Sequence, residues 1–354
     1  MKILFVVPYP QGTAPSQRFR FEHYLQYLDE NGIEYRIRSF LSTATWNILY
    51  KPGYKWKKVT GVLDGFFNRF LTLFLVRKYD FVFIHREATP LGPAWFEWII
   101  TKMLRKKMIY DFDDAIWISA VSKNNSGIAW LRNVNKVKNI CRWATIVVTG
   151  NSFLASYASQ FNRNVKVIPT VVNTEAVHSK FQDQQVASPS IGWTGSFSTL
   201  QYLDIVLPVL QELQEKYGFT FIVIADRDPG LSLKNYRFIK WKRDTEVEDL
   251  LNFHIGLMPL YDDEISKGKC GFKAIQYMSL GIPAVVSPVG VNSEIVDDSV
   301  NGFLCESKND WKMRLEELLN DAVLRQRFGT AARQKIVQKY SVNATVDMFM
   351  DIFK

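Results

Sequence analysis

The stretch from His254 to Leu304 reads HIGLMPLYDDEISKGKCGFKAIQYMSLGIPAVVSPVGVNSEIVDDSVNGFL, and glycine, lysine and proline fall in it at spacings able to hold an anion. The order is strand, acidic loop, glycine-rich turn, helix, strand, second glycine loop, helix. Gly268 and Gly271 let the backbone approach a ligand closely. Lys269 and Lys273 place two ammonium groups beside a helix predicted to open at Phe272. Free N–H groups and the positive end of the dipole make a helix start a natural anion site. The loop 287–292, with Pro288, Gly290 and Val291, opens a second helix that carries Glu294 and offers another set of free N–H groups. Two adjacent helix tips with two lysines suit a pyrophosphate better than a single phosphate. The competing structural account is that each Gly or Pro only tightens a connection and both lysines are solvated. The placement of both loops after successive strands favours the pyrophosphate.

A second set of chemically able residues lies in the first half. Tyr110-Asp111-Phe112-Asp113-Asp114 closes a strand with three acids within four residues. Asp111 or Asp113 is expected to receive or orient a substrate hydroxyl, with one carboxyl pKa raised by its neighbours. The plainer alternative is an N-cap with solvated acids opening the next helix. Gly12 follows the first strand with Thr13, Ser16, Arg18 and Arg20. The two arginines are two apart on a helix and cannot share a face, and Arg18 is the one favoured to point toward a ligand. His85-Arg86-Glu87 ends another strand, where a lone His is more often a structural hydrogen-bonder. His23, His178 and His254 have no partner at ligand spacing, so no metal site is read. Three cysteines, Cys141, Cys270 and Cys305, form no C-x-x-C, which argues against a disulfide framework and for a reducing compartment.

These residues need elements to hold them at strand ends. Short β-branched or aromatic runs alternate with amphipathic stretches, the pattern of a parallel sheet covered by helices. The runs predict strands at 3–7, 34–40, 81–85, 108–112, 145–149 and 165–168, and again at 191–195, 220–225, 236–241, 255–259, 284–287 and 302–305. The first helix is signalled by a Pro15-Ser16 N-cap, by Phe21, Tyr24, Leu25 and Leu28 at helical spacing, and by a Gly32 stop. Helices are expected at 200–217, 246–253 and 272–280, and the chain's end reads as helical. A polar, strand-poor stretch, 178–190, looks like a linker. At 354 residues the chain exceeds the ~100–200 of a single core, so two doubly wound domains in series are predicted, facing across a cleft. The expected bounds are 1–180, 181–336 and a helix 337–354 crossing back to the first domain. Hydrophobic residues at 47% and charged residues at 22% exclude wholesale disorder, while 44 Lys+Arg against 35 Asp+Glu leave +9 and favour an anionic partner.

On those residues the chain resembles the GT-B glycosyltransferases of the family-4 type. Their donor signature runs from Glu-x7-Glu into E-A-M-A-x-G-x-P-V-V-x-S, then a glycine loop and a Glu. The matching residues are Met278-Ser279-Leu280-Gly281-Ile282-Pro283-Ala284-Val285-Val286-Ser287, then Gly290, Glu294 and Asn301-Gly302-Phe303-Leu304. The resemblance extends more loosely over nearly the whole chain. It implies two Rossmann-like domains, transfer of a sugar from a nucleoside-diphosphate sugar, retention at the anomeric carbon, and catalysis without a metal or other cofactor. It places donor binding on Gly271, Phe272, Gln276, Pro288, Gly290, Val291 and Glu294, and brings the Gly12 loop with Arg18 over the donor phosphates. Two departures stand out: Gln276 occupies the position of the second Glu, which holds the donor ribose, and Gly268 that of the first. The Arg and Lys usual after the donor domain's first strand are absent too. There the chain reads Gly195-Ser196-Phe197-Ser198-Thr199, so Lys269 and Lys273 are expected to neutralise the phosphates with help from the Gly195 and Ser196 backbone.

The run 51–78, KPGYKWKKVTGVLDGFFNRFLTLFLVRK, holds seven basic residues against the single acid Asp64, interleaved with Trp56, Tyr54 and four phenylalanines. It suits an anionic membrane surface. Nucleic acid is disfavoured because no binding-module signature accompanies it. The remaining account is a helix packed on the sheet with a charged outer face. The apolar start at 3–7 is shorter than the ~7–15 residues of a signal-peptide core, and no uninterrupted apolar run approaches the ~18 residues of a membrane span. The expected protein is a cytoplasmic transferase, peripheral on the inner face of the plasma membrane, joining a nucleotide sugar to a saccharide or lipid-linked acceptor in cell-surface polysaccharide synthesis. Rival readings are a nucleotide-sugar epimerase and a non-catalytic nucleotide-sugar-binding protein. An oxidoreductase is disfavoured, since no G-x-G-x-x-G follows either first strand.

Overall fold

The computed structural model describes residues 1–49, 51–118 and 133–354. The chain divides into two compact units, Met1–Thr170 with Val346–Lys354, and Val171–Thr345. Each is built on a six-stranded parallel sheet. In the first unit β1 (Lys2–Val7), β2 (Glu34–Ser39), β3 (Phe81–His85), β4 (Lys107–Phe112), β5 (Ile146–Thr149) and β6 (Val165–Val167) lie in the order β2-β1-β3-β4-β5-β6. In the second, β7 (Ile191–Gly195), β8 (Phe221–Ala225), β9 (Tyr236–Lys240), β10 (Ile255–Met258), β11 (Ala284–Val286) and β12 (Gly302–Leu304) lie in the order β12-β11-β10-β7-β8-β9. Strand order thus reverses between β1 and β3, and between β7 and β10. Such switch points leave crevices at the carboxyl ends of the strands.

All twelve predicted strands are present, each end within one residue of the prediction. They were legible because a parallel sheet covered on both faces needs near-continuous apolar strands. Phe221–Ala225, for example, is buried at every position.

The helices depart further from expectation. The first predicted helix is three pieces, Pro15–Arg18, a 3₁₀ turn Glu22–Tyr24, and Leu25–Glu30. Its N-cap is Ala14, with Pro15 rather than Ser16 opening the turn. In the interruption at Phe19–Phe21, Arg20 meets a buried carboxylate near the end of β4, an interior strand. The helix expected at 200–217 is a 3₁₀ stretch, Phe197–Ile205, followed by Leu207–Lys216.

The unit boundary falls at Thr170/Val171 rather than 180/181. Val172 N–H donates to the Tyr340 carbonyl, and Arg333 donates to the carbonyls of Thr174 and His178, so 171–180 belongs with the second unit. The return to the first unit comes at Val346 rather than 337. There Phe349 stacks on Tyr24, with ring centroids 4.2 Å apart. The segment 178–190 has no helix or strand, yet it is strapped rather than loose. The Gln182 side chain donates to the Leu251 and Phe253 carbonyls, and Arg325 donates to those of Gln184 and Val186.

Lys55–Val76 forms one 22-residue helix that is long and apolar enough to cross a membrane. Isolated polar residues had hidden it from a search for an uninterrupted apolar run.

Candidate functional site

In the second unit the helix Phe272–Ser279 starts beyond the carboxyl end of β10, at the switch point with β7. Its N-cap, Gly271, has φ +65°, and a Cβ there would overlap the Ile295 side chain, so only glycine fits on both counts. Lys269 and Lys273 flank it, both half-buried. The Lys269 Nζ lies 5.7 Å from the Tyr202 ring centroid and the Lys273 Nζ 5.5 Å from that of Trp193, which is within cation–π range. Burial, and then the charge of Lys269, pull the Lys273 ammonium down to about 7. Among the described residues no carboxylate pairs with Lys273. A cation held below its ordinary range beside a helix start is arranged to receive negative charge from outside the chain. The Tyr277 hydroxyl accepts from the Thr194 N–H at 2.9 Å and donates to the Leu257 carbonyl at 3.3 Å, which locks this helix to β7 and β10.

The second anticipated helix tip is much weaker. Asn292–Ile295 is a single turn, too short to build a macrodipole, so the expected pair of tips reduces to one. The loop before it is held by its own polar groups. Asn292 Nδ2 donates to the Ser287 carbonyl and Ser287 Oγ accepts from the Leu260 N–H, both at 3.0 Å. Pro288 is half-buried, Val291 buried, and Gly290 and Glu294 are exposed. Gly195 ends β7 half-buried, Ser196 follows it exposed, and Phe272 is half-buried.

Gln276, at the position of the family's ribose-holding glutamate, is 2% exposed, and its Nε2 donates to Glu246 Oε1 at 3.3 Å. Glu246 is itself buried and also accepts from Trp241 Nε1 at 3.4 Å. A carboxylate therefore stands beside the amide that replaces one. Sequence reading missed Glu246 because an acid at the first position of a helix looks like an ordinary end charge. Gly268 is buried and only caps the short turn Glu264–Lys267.

In the first unit the ends of β3 and β4 carry a sealed polar cluster. Arg20 Nη2 lies 2.5 Å from Asp111 Oδ1, and His85 Nδ1 lies 2.7 Å from Asp111 Oδ2. All three residues are at most 2% exposed. Among the described residues His85 Nε2 has no hydrogen-bond partner. Arg86, at φ +58°, an uncommon conformation for a side chain of its size, donates to Asp113 Oδ1 at 2.8 Å. Burial would raise both carboxyls, but Arg20 and then His85 hold Asp111 below its ordinary value, and Arg86 brings Asp113 down to about 2. The expectation of a raised carboxyl is thus reversed, because each acid faces a guanidinium rather than another acid. Asp111 is positioned to hold Arg20 and His85 rather than to meet a substrate. Residues 115–118, directly after the acids, form a turn rather than the start of a helix, and 119–132 lie outside the described residues.

The Gly12 N–H, expected over donor phosphates, donates to the Glu22 carboxylate at 2.8 Å. Arg18 is 6% exposed, its guanidinium 4.7 Å from the Phe19 ring centroid rather than reaching out.

Residues 195–335 match the family described as Glycosyl transferases group 1. A curated relative, the poly(ribitol-phosphate) alpha-N-acetylglucosaminyltransferase of Staphylococcus aureus (strain COL), is 24% identical over 257 residues, 69% of this chain and 48% of its own length. The chain thus spans about half of that relative. Sucrose-phosphate synthase from Thermosynechococcus elongatus superposes with a TM-score of 0.70 at 13% identity, over 99% of this chain and 98% of its own. HepE from Anabaena, solved with UDP and glucose, superposes with a TM-score of 0.67 at 14% identity, over 99% of both chains. At such identities these likenesses establish the fold, and the matched region includes Gly271, Lys273 and the Gly281-x-Pro283 turn. With a doubly wound parallel sheet in each unit the chain has the GT-B fold, and residues 195–335, which hold the second switch point, are similar to the glycosyl transferases group 1 family.

Proposed function

We propose that the chain transfers a sugar from a nucleoside-diphosphate sugar to a saccharide or lipid-linked acceptor in cell-surface polysaccharide synthesis, with retention and without a metal. The observation that carries this reading is the pair Lys269 and Lys273 at the start of the Phe272–Ser279 helix, one of them held near pH 7 with no carboxylate partner among the described residues. As the bond between the anomeric carbon and the β-phosphate oxygen breaks, its electron pair goes to the departing diphosphate. On this reading the helix N–H groups and the two ammonium groups receive that charge. The acceptor oxygen forms the new bond to the anomeric carbon, and its proton passes to the leaving phosphate. Gln276 and Glu246 together are the candidates to hold the ribose diol. The Staphylococcus relative's name supports a poly(ribitol-phosphate)-like acceptor, and the UDP-bound neighbour makes UDP the first nucleotide to try.

Thermal-shift measurements with UDP-, GDP-, ADP- and TDP-sugars test the donor, because a ligand that binds only the folded chain raises its melting temperature with concentration. One nucleotide class should stabilise the chain, and Lys269→Ala should abolish the effect. No shift from any of the four would overturn the donor assignment. The absence of a glutamate at both Gly268 and Gln276 favours a second reading, a nucleotide-sugar binder that turns nothing over. Binding without release of free nucleotide, in the presence of any polyol-phosphate or saccharide acceptor, would establish it.

A further inference from the structure

The Lys55–Val76 helix has two opposite faces of different character. At about 100° per residue, Gly61, Gly65, Arg69, Thr72 and Val76 fall on one side, and all are buried. Trp56, Val59, Leu63, Phe67, Phe70 and Phe74 fall on the other, and all are at least half exposed, Trp56 at 83% and Phe74 at 68%. The inner face is fixed to the first unit. A Cβ on Gly65 would come within 2.7 Å of the Phe40 ring, so the helix backbone lies directly on its neighbour. Arg69 is fully buried and donates to three backbone carbonyls, those of Ala88, Arg38 and Val7, at 2.6 to 2.8 Å. The outer stripe is left uncovered by the described residues. It is some 27 Å long, taking ~1.5 Å per residue from Trp56 to Phe74. A contiguous apolar face of this kind on a soluble surface marks an interaction site.

Cations gather at both ends of the stripe. Lys51, Lys55, Lys57 and Lys58 lie at its start and Arg77 and Lys78 at its end, with Asp64 as the helix's one acid. That sign pattern decides the occupant. Two copies pairing through this face would set lysines against lysines if parallel, and against Arg77 and Lys78 if antiparallel. Either arrangement brings like charges together beside an apolar seam. An anionic bilayer meets the cations with opposite charge and receives the aromatic stripe at the boundary between headgroups and acyl chains.

We propose that this helix is a membrane-docking element that lies in the plane of an anionic bilayer surface, its Trp56–Phe74 stripe inserted and its terminal lysines and arginine on lipid phosphates. It lies on the membrane rather than through it, because spanning would tear Arg69 and the glycine face from the sheet. The inference is independent of the donor-site reading above.

The test is co-sedimentation of the full chain with vesicles of neutral phosphatidylcholine, and of phosphatidylcholine carrying about a third phosphatidylglycerol. Binding is expected to the anionic vesicles alone and to weaken with salt. Changing Lys55, Lys57 and Lys58 together to Gln should weaken it about a hundredfold, at about fivefold for each cation removed. Trp56→Ser with Phe67→Ser and Phe74→Ser should abolish binding even at low salt. Lys55, Lys57, Trp56, Phe67 and Phe74 are exposed, while Lys58 is half-buried and donates to the Lys51 carbonyl, so an unchanged melting temperature and unchanged nucleotide affinity should accompany the apolar set and the pair Lys55→Gln with Lys57→Gln. The proposal is overturned if the wild-type chain stays in the supernatant at low salt, or if the apolar triple variant still sediments. It is equally overturned if sedimentation velocity shows a dimer that the apolar variant converts to monomer while vesicle binding is absent.

Discussion

At the proposed donor site, a lysine held near pH 7 would make nucleotide binding a proton-linked event. With its ammonium at about 7, Lys273 is half neutral at pH 7 and about 99% neutral at pH 9. A docked diphosphate brings opposite charge to Nζ and restores the proton, since a nearby anion favours the charged form. If the complex keeps that proton throughout, the protonated fraction of the free chain falls from about one half to about one hundredth over those two pH units. The dissociation constant for UDP should then rise about fiftyfold between pH 7 and 9. The last phosphate proton of UDP leaves with a pKa of ~6, and its loss as pH rises past 7 can only strengthen binding to a cation, so a weakening slope reports the protein. Isothermal titration calorimetry at pH 8, in buffers of different ionisation enthalpy, should register uptake of about 0.9 proton per UDP bound. Lys273→Met should bind more weakly at pH 7, show no proton uptake, and lose the pH slope. A dissociation constant that stays flat from pH 7 to 9, or proton uptake that survives Lys273→Met, would refute the argument. Either result would mean that the lysine does not face the phosphates.

Three further outcomes are expected. Asp111→Asn removes one member of a buried pair and leaves Arg20 uncompensated, so it should cost about 3–5 kcal/mol, measured by urea unfolding, with Arg20→Met and Asp111→Asn combined falling well short of the sum of the single changes. Asp113, whose carboxyl is held at about 2 by Arg86, contributes stability that is present above the unfolded carboxyl's pKa of ~3.9 and is lost as pH falls toward 2. Acid unfolding of an Arg86→Met variant should accordingly lose its steep dependence across that window. Gln276→Glu, which rebuilds the family's motif, should destabilise the chain, because the new carboxylate would meet that of Glu246 about where the amide now sits at 3.3 Å. One carboxyl of the pair would be raised, so the native state would hold an extra proton. The melting temperature relative to wild type should therefore fall between pH 5 and 8; an equal melting temperature at both would show that the two groups do not meet.

What could be read from the residues divides by the range of the interaction. Strands such as Phe221–Ala225 announce themselves in five consecutive letters, and the Gly271 turn with its lysines sits within one short segment, so both were legible. The exposed stripe on Lys55–Val76 was visible as composition, but which of its faces packs was decided by Gly61, Gly65 and the three carbonyls around Arg69, all tertiary facts. Arg20 and Asp111 are 91 positions apart, and no local pattern reveals that the first helix breaks to let them meet. The same limit explains how the donor site was read. A motif is a statement about positions along the chain, so a glutamine at 276 registers as the loss of a carboxylate. Ligands respond to charge in space. Glu246 lies 30 residues upstream, yet the fold sets its carboxylate on the amide of Gln276, so a carboxylate stands beside that position although the motif lacks one there. Departure from a family pattern at a buried polar residue is therefore weak evidence for loss of a site until the neighbours of that residue are known, and here the neighbour is an acid.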